Sequence, residues 1–192
     1  MATEYEWKFQ ATSRQLAAIA AAFPETGVKI SMETTYFDTP TGALSARHYT
    51  LRRRLENEES VCTLKTPAGN ARSEFEVRCE DISQAVGQFP AMGCPGDFSR
   101  LVQEGILPIC GAKFTRIAKT VCLPEGTVEL ALDEGILMGG GREMPLCEVE
   151  VELKSGDVRF CDLFARTLAA RFGLTQEEKS KFRRALALYR GE

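Results

Sequence analysis

Glu4-Tyr5-Glu6-Trp7-Lys8-Phe9 is the stretch on which the fold of this chain turns. In a β-strand successive side chains point to opposite faces, so Glu4, Glu6 and Lys8 form one charged row and Tyr5, Trp7 and Phe9 an apolar row behind it. An aromatic row needs something to pack on. If helices supply it, the charged row faces the other way, into water or into an enclosed interior, and this strand alone leaves both open.

The same parity recurs along the chain. Acidic rows fall at Glu74/Glu76, Glu129/Asp133 and Glu148/Glu150/Glu152, and a basic row at Arg52/Arg54, with Lys65 on a strand of its own. Neighbours within such a row stand roughly 7 Å apart, close enough for several carboxylates to reach one cation. A half-exposed antiparallel strand also alternates charged and apolar residues, and for any single row solvent is a sufficient cause. Carboxylates and lysine are poor strand formers, however, and like charges side by side are unfavourable unless a divalent cation or a cationic ligand group neutralises them. Arginine forks and lysine ammonium groups supply complementary sites for phosphate oxygens. Acidic walls facing basic walls imply a metal and a polyanion.

Working outward, Thr12 or Ser13 caps a helix through Leu16, Ile19 and Phe23 that ends at Pro24 and Gly27. Short strand patterns follow at Ile30 to Phe37, Arg47 to Leu55, Val61 to Thr66 and Ser73 to Glu80, separated by turn-forming clusters, and they read as an antiparallel meander. Two short helical pieces, Asp81 to Gln88 and Asp97 to Glu104, lead to a second meander at Lys113 to Leu123, Thr127 to Met138 and Glu143 to Leu153. Asp157 caps an amphipathic helix closed by Gly173, and a basic helix spans about Glu177 to Tyr189.

The chain of 192 residues is 44% hydrophobic, enough for one domain with its own core. With 24 basic and 27 acidic residues and a net charge of -3, it lacks the general basicity of a nucleic-acid surface, so no nucleic acid is expected as partner. Seven cysteines without a C-x-x-C spacing read as free thiols of a reducing cytoplasm. No apolar run is long enough to span a membrane, and neither a leader nor a membrane partner is expected.

The motifs resemble, as a set and in this order, those of the CYTH domain, also called the triphosphate tunnel metalloenzymes. The matching residues are Glu4-x-Glu6-x-Lys8, Tyr36-Phe37-Asp38-Thr39-Pro40, Leu51-Arg52-Arg53-Arg54, Leu64-Lys65-Thr66, Glu74-x-Glu76, Arg116, Glu129-x-x-x-Asp133-x-Gly135, Glu148/Glu150/Glu152 with Gly156-Asp157, and Ser180-Lys181. The resemblance covers nearly the whole chain and implies a single domain over 1–192. It implies an α+β, mostly antiparallel fold: an eight-stranded closed antiparallel β-barrel with flanking helices, its charged faces turned into a tunnel.

By the same resemblance Lys8, Arg52, Arg54, Lys65, Arg116 and Lys181 hold phosphate oxygens, with Glu76 and Arg78 as further substrate-facing wall residues. Glu4, Glu6, Glu129, Asp133, Glu148 and Glu150 hold Mg²⁺ or Mn²⁺. Glu4, Glu6, Lys8, Lys65, Arg116 and Lys181 form the expected catalytic set. Glu152 is a wall residue, and Lys113, Lys119 and Lys179 are expected in solvent. The lone His48, in the Arg47 to Leu55 strand, and the strand cysteines Cys62, Cys122 and Cys147 are read as structural.

The implied activity is hydrolysis of tripolyphosphate to pyrophosphate and phosphate, as in the bacterial inorganic triphosphatase branch, and a homodimer is compatible with it. Adenylate cyclase, thiamine or nucleoside triphosphatase on the same fold, and a non-catalytic polyphosphate- or nucleotide-binding barrel are the alternatives.

Overall fold

The computed structural model describes residues 5–68 and 71–192. Its strands are β1 (Glu6–Gln10), β2 (Val28–Asp38), β3 (Thr50–Glu56), β4 (Glu59–Ala68), β5 (Ala71–Arg78), β6 (Leu107–Leu123), β7 (Gly126–Gly139), β8 (Arg142–Gly156) and β9 (Thr175–Gln176). Its helices are α1 (Ser13–Ala22), α2 (Ala43–Ala46), α3 (Ile82–Gln88), α4 (Phe98–Leu101), α5 (Val158–Phe172) and α6 (Lys181–Arg190), with short 3₁₀ turns between α3 and β6. The strands form one sheet in the order β5-β4-β3-β2-β6-β7-β8-β1-β9. Every neighbouring pair is antiparallel.

The expected strands are all present, but among the described residues the sheet is not closed into the expected barrel. Among the described residues no ladder joins β5 to the β1/β9 edge. The two-residue β9 occupies the free side of β1 at Phe9 and Gln10. The concave face between the arms is lined mainly by charged side chains around a cavity.

Side-chain alternation sends the two rows of each strand where burial favours them. On the convex face Phe9, Val128, Leu130, Val149 and Val151 pack with Leu16 and Ile19 of α1 and Cys161, Ala165 and Leu168 of α5. The Tyr5 hydroxyl and the Trp7 indole N–H both donate to Asp162 of α5, at 2.5 and 2.9 Å. These bonds pin the aromatic row outward and so turn Glu6 and Lys8 inward. Over the other arm, Leu51, Cys62 and Leu64 pack against Ile82 and Ala85 of α3, Phe89 in the 3₁₀ turn after it, and Phe98 of α4. Each fully buried leucine or phenylalanine contributes about 1.5–3 kcal/mol of transfer free energy.

Helix α6 alone lies on the concave side, where Ala185 joins Met32, Tyr36, Ala112, Phe114, Leu137 and Leu146. The Gly139-Gly140 turn lets it approach: a Cβ at Gly139 would stand 2.4 Å from the Ala185 carbonyl oxygen and 2.7 Å from the Tyr189 nitrogen.

Local chemistry accounts for most of the boundaries. Thr12 and Gln15 form a capping box on α1, Asp157 caps α5, and Gly173 closes it in the left-handed conformation. β3 starts at Thr50, later than expected, because His48 sits at φ 59 in the turn after α2, where its amide and that of Tyr49 bond Ser45 and Leu44 carbonyls. β6 starts earlier, at Leu107, since its first residues pair with the end of β2. Asp38 is buried and accepts from the amides of Thr39, Leu44 and Ser45, which gives the Tyr36-Phe37-Asp38-Thr39-Pro40 motif a structural role.

Lys119 departs from the solvent position expected of it. It is only 7% exposed, and its ammonium donates to the carbonyls of Ala20, Phe23 and Glu25, at 3.1, 2.5 and 3.1 Å. The orphan carbonyls at the end of α1 and their negative dipole end supply the reason.

Candidate active site

Strand register carries the charged rows across the concave face. Glu6 stands opposite Glu152 and Lys8 opposite Glu150 between β1 and β8. Between β8 and β7, Glu148 faces Asp133 and Glu152 faces Glu129, and β6 sets Arg116 opposite Asp133. On the other arm Arg52 and Arg54 stand opposite Tyr36 and Thr34, while Lys65 is flanked by Thr50 and Glu74. An acidic arm thus faces a basic one.

Between them lies a cavity of about 240 Å³ lined by Glu6, Lys8, Arg52, Arg54, Lys65, Arg116, Glu150 and Lys181, together with Tyr36, Thr50, Glu152, Ser180 and Phe182. Asp133 and Glu148 do not line it; they lie beneath its floor, each 0% exposed. Glu129 is beside Glu152, and Lys154 contacts both, at 3.8 and 2.8 Å. Glu76 is exposed on β5, and Arg78 pairs with Glu59 at 3.2 Å on the outer edge, with its side chain 81% exposed. Glu4 lies outside the described residues.

The floor is a buried ion-pair network. Arg116 grips Asp133 with two parallel bonds of 2.7 Å and also donates to Glu150. The Lys181 ammonium contacts Asp133 at 2.8 Å, Glu150 at 2.7 Å and one oxygen of Glu148. Arg184 takes the other Glu148 oxygen. Lys181, Arg116 and Arg184 set against Asp133, Glu148 and Glu150 balance charge for charge. Burial alone would raise the Glu150 carboxyl, but Lys181 and Arg116 outweigh it and hold that group well below the usual carboxylate range. Glu148 is pushed up to about 7, by burial first, against the pull of Lys181 and Arg184. Lys181 is raised: burial opposes its charge, and Glu150, Asp133 and Glu148 overcome that.

The basic arm has no such balance. The Arg52 Nε is buried with no hydrogen-bond partner, and burial followed by the neighbouring Arg54 charge lowers the guanidinium pKa. Among the described residues, Arg54 makes only long contacts, 3.3 Å to Thr34 and 3.5 Å to Glu56. Lys65 bonds Glu74, and Lys8 bonds Glu6 at 2.9 Å. Two adjacent, weakly compensated guanidinium groups on a cavity wall make a site for an anion.

Arg184 and Glu177 are the functional candidates the sequence reading missed. Arg184 carried a signal, since it stands three residues after Lys181 on the same helical face. Glu177 carried none: it precedes the helix, and its burial depends on contacts with β1.

Fold and site together define a class: an antiparallel sheet with flanking helices whose concave face bears a cavity walled by opposed acids and bases. The chain belongs to the CYTH family, whose domain model matches residues 2–186. An inorganic triphosphatase from Haemophilus influenzae is 30% identical over 164 residues, which cover 80% of this chain and 45% of that protein. The chain therefore spans about half the length of this relative. A Hippeastrum structure, described as an adenylyl cyclase candidate with a dominant triphosphatase activity, superimposes with a TM-score of 0.65 at 19% identity, covering 100% of this chain and 96% of its own. A candidate adenylate cyclase from Bacillus halodurans gives a TM-score of 0.64 at 16% identity, with coverage of 95% and 96%. At these identities the two structures speak for the fold alone.

Proposed function

We propose that the chain is a metal-dependent triphosphatase that hydrolyses inorganic tripolyphosphate to pyrophosphate and phosphate in the concave cavity, as a single CYTH domain of a reducing, cytoplasmic compartment. The observation that carries this reading is the unsatisfied basic wall: the buried, partnerless Nε of Arg52 beside Arg54. A polyphosphate chain supplies the acceptors this wall lacks. Membership of a family with an inorganic triphosphatase 30% identical to the chain supports the same substrate class.

Arg52, Arg54 and Lys65 bind phosphate oxygens from one side, and Lys8, Arg116 and Lys181 from the other. The network beneath Lys181 and Arg116 fixes their positions before substrate arrives, so little reorganisation is left for the reaction. The acids divide into two groups. One oxygen from each of Asp133, Glu148 and Glu150 lies within 4.8 Å of the others, but all three carboxylates already face the floor cations. Among the described residues, Glu6 and Glu152 line the cavity with the part-exposed Lys8 and Lys154 as their ion-pair partners.

An all-carboxylate donor set fits a hard divalent ion such as Mg²⁺ or Mn²⁺. Glu6 and Glu152 would hold it, with Glu129 behind Glu152. When bound, such an ion offsets phosphate charge and lowers the pKa of a coordinated water. Glu6, at the cavity wall, would accept a hydrogen bond from a water facing the terminal phosphorus. No side-chain nucleophile is needed.

An unsubstituted substrate is favoured over a nucleotide because the aromatic residues of the lining, Tyr36 and Phe182, pack on each other with centroids 4.9 Å apart, and Tyr36 is 4% exposed. Tyr36 therefore offers no open face for a base. Phosphate release from tripolyphosphate, ATP and thiamine triphosphate, each with Mg²⁺ and with Mn²⁺, tests the assignment. Tripolyphosphate should be the best substrate. If it is untouched while ATP gives cyclic AMP, the cyclase reading replaces this one, and tight binding without turnover would make the cavity a binding site only.

A further inference from the structure

Lys181 reaches the cavity from the first turn of α6, and the segment that delivers it, residues 177–180, belongs to no helix or strand. Its backbone is tied to β1 by the Glu177 amide, which donates to the Lys8 carbonyl at 2.8 Å. The Glu177 carboxylate is buried and accepts from Gln10 at 2.7 Å and from the Lys179 amide at 2.8 Å. Arg184 then spans two elements. One of its terminal nitrogens donates to Glu148 on β8, and the other lies 3.6 Å from Glu177.

The two oxygens of Glu148 are therefore divided between cations one turn apart on α6, Lys181 on one and Arg184 on the other. This fixes the plane of the Glu148 carboxylate, and with it the point at which Lys181 is held. Arg184 itself does not line the cavity. Its Nε is buried without a partner, a cost that a residue selected only for packing would avoid.

We propose that Arg184 is a positioning residue: by clamping Glu148 and Glu177 together it sets the Lys181 ammonium in the cavity wall, where that ammonium meets the triphosphate. The inference rests on the triphosphatase reading and extends it to a residue outside the cavity.

A double-mutant cycle tests it: wild type, Arg184→Ala, Lys181→Ala and the pair, each read by kcat/KM for tripolyphosphate with saturating Mg²⁺ or Mn²⁺ and by calorimetric affinity for tripolyphosphate. If Arg184 acts through Lys181, Arg184→Ala lowers kcat/KM by about tenfold or more in the wild-type background and by less than about twofold in the Lys181→Ala background. Arg184→Lys, which retains a charge for Glu148, should recover part of the loss. Equal losses in both backgrounds, or no loss in the single variant, overturn the proposal.

Thermal midpoints accompany every variant, and if Arg184→Ala does not fold, Arg184→Lys runs the same cycle. A wild type that does not hydrolyse tripolyphosphate overturns the triphosphatase reading instead. The cycle is then judged on affinity, where the Arg184 effect should again vanish without Lys181, and persistence of that effect would sink the positioning role.

Discussion

Arg52→Met should weaken triphosphate binding while making the ligand-free protein more stable. The two effects have opposite signs because one group causes both. Arg52 holds a buried Nε that finds no partner, next to the like charge of Arg54, so the ligand-free protein bears a weakly compensated cation. Methionine keeps the length and apolar bulk of the side chain and removes the charge. Relief of one unsatisfied donor and one like-charge contact is worth about 1 kcal/mol, a rise in Tm of about 2–4 °C for a chain of this size. On the binding side, a lost charge-assisted contact to phosphate costs about 1.5–3 kcal/mol, or about 10- to 150-fold in Kd.

Titration calorimetry with tripolyphosphate reads the second effect and scanning calorimetry without ligand the first. Lys113→Met is the control: it removes an exposed charge that pairs with Glu33 at 3.4 Å, and should change neither by much. An unchanged Kd in Arg52→Met, or a Tm several degrees lower, would refute the account of the basic wall.

Other substitutions test the remaining parts. Glu6→Gln should abolish divalent-dependent turnover of tripolyphosphate and leave the circular dichroism spectrum unchanged; a fully active variant removes Glu6 from the metal-holding set. Lys119→Met leaves the carbonyls of Ala20, Phe23 and Glu25 without their shared donor and should cost about 1–3 kcal/mol in urea unfolding, whereas a loss below ~0.5 kcal/mol would mean the ammonium does not cap α1. The pH dependence follows from Glu150. Its folded pKa is depressed below its usual 4.5, so its share of stability is present above that value and is lost as pH falls below it. Thermal midpoints measured from pH 7 down to pH 3 should drop below about pH 4.5, with a smaller drop in Glu150→Gln; equal slopes in the two proteins contradict the ion-pair assignment.

Alternation was legible wherever a strand had an apolar row to bury. Tyr5, Trp7 and Phe9, or Val149 and Val151, identify the outward face, and the charged rows then turn inward by geometry alone. Neither pairing was legible: that of Arg116 with Asp133 depends on a hairpin turn far from both, and that of Glu6 with Glu152 joins strands from opposite ends of the chain. Closure of the sheet was not legible either, since it depends on how its two edge strands end.

Glu76 and Arg78 share the alternation of the site residues but fall on the outer strand β5, where the same parity leads to solvent. Lys119 did carry a signal: it stands in the apolar row with Ile117 and Val121, and a lysine in such a row goes inward if carbonyls await it. Arg184 needed α6 to be docked before its role could be seen.

The most direct test of the central claim is a crystal structure with tripolyphosphate and Mn²⁺, read by anomalous scattering. The account predicts the phosphorus chain between the Arg52/Arg54/Lys65 wall and Lys8/Lys181, with a manganese peak at Glu6 and Glu152. A triphosphate bound elsewhere, or manganese seated among Asp133, Glu148 and Glu150 with Lys181 displaced, would contradict it.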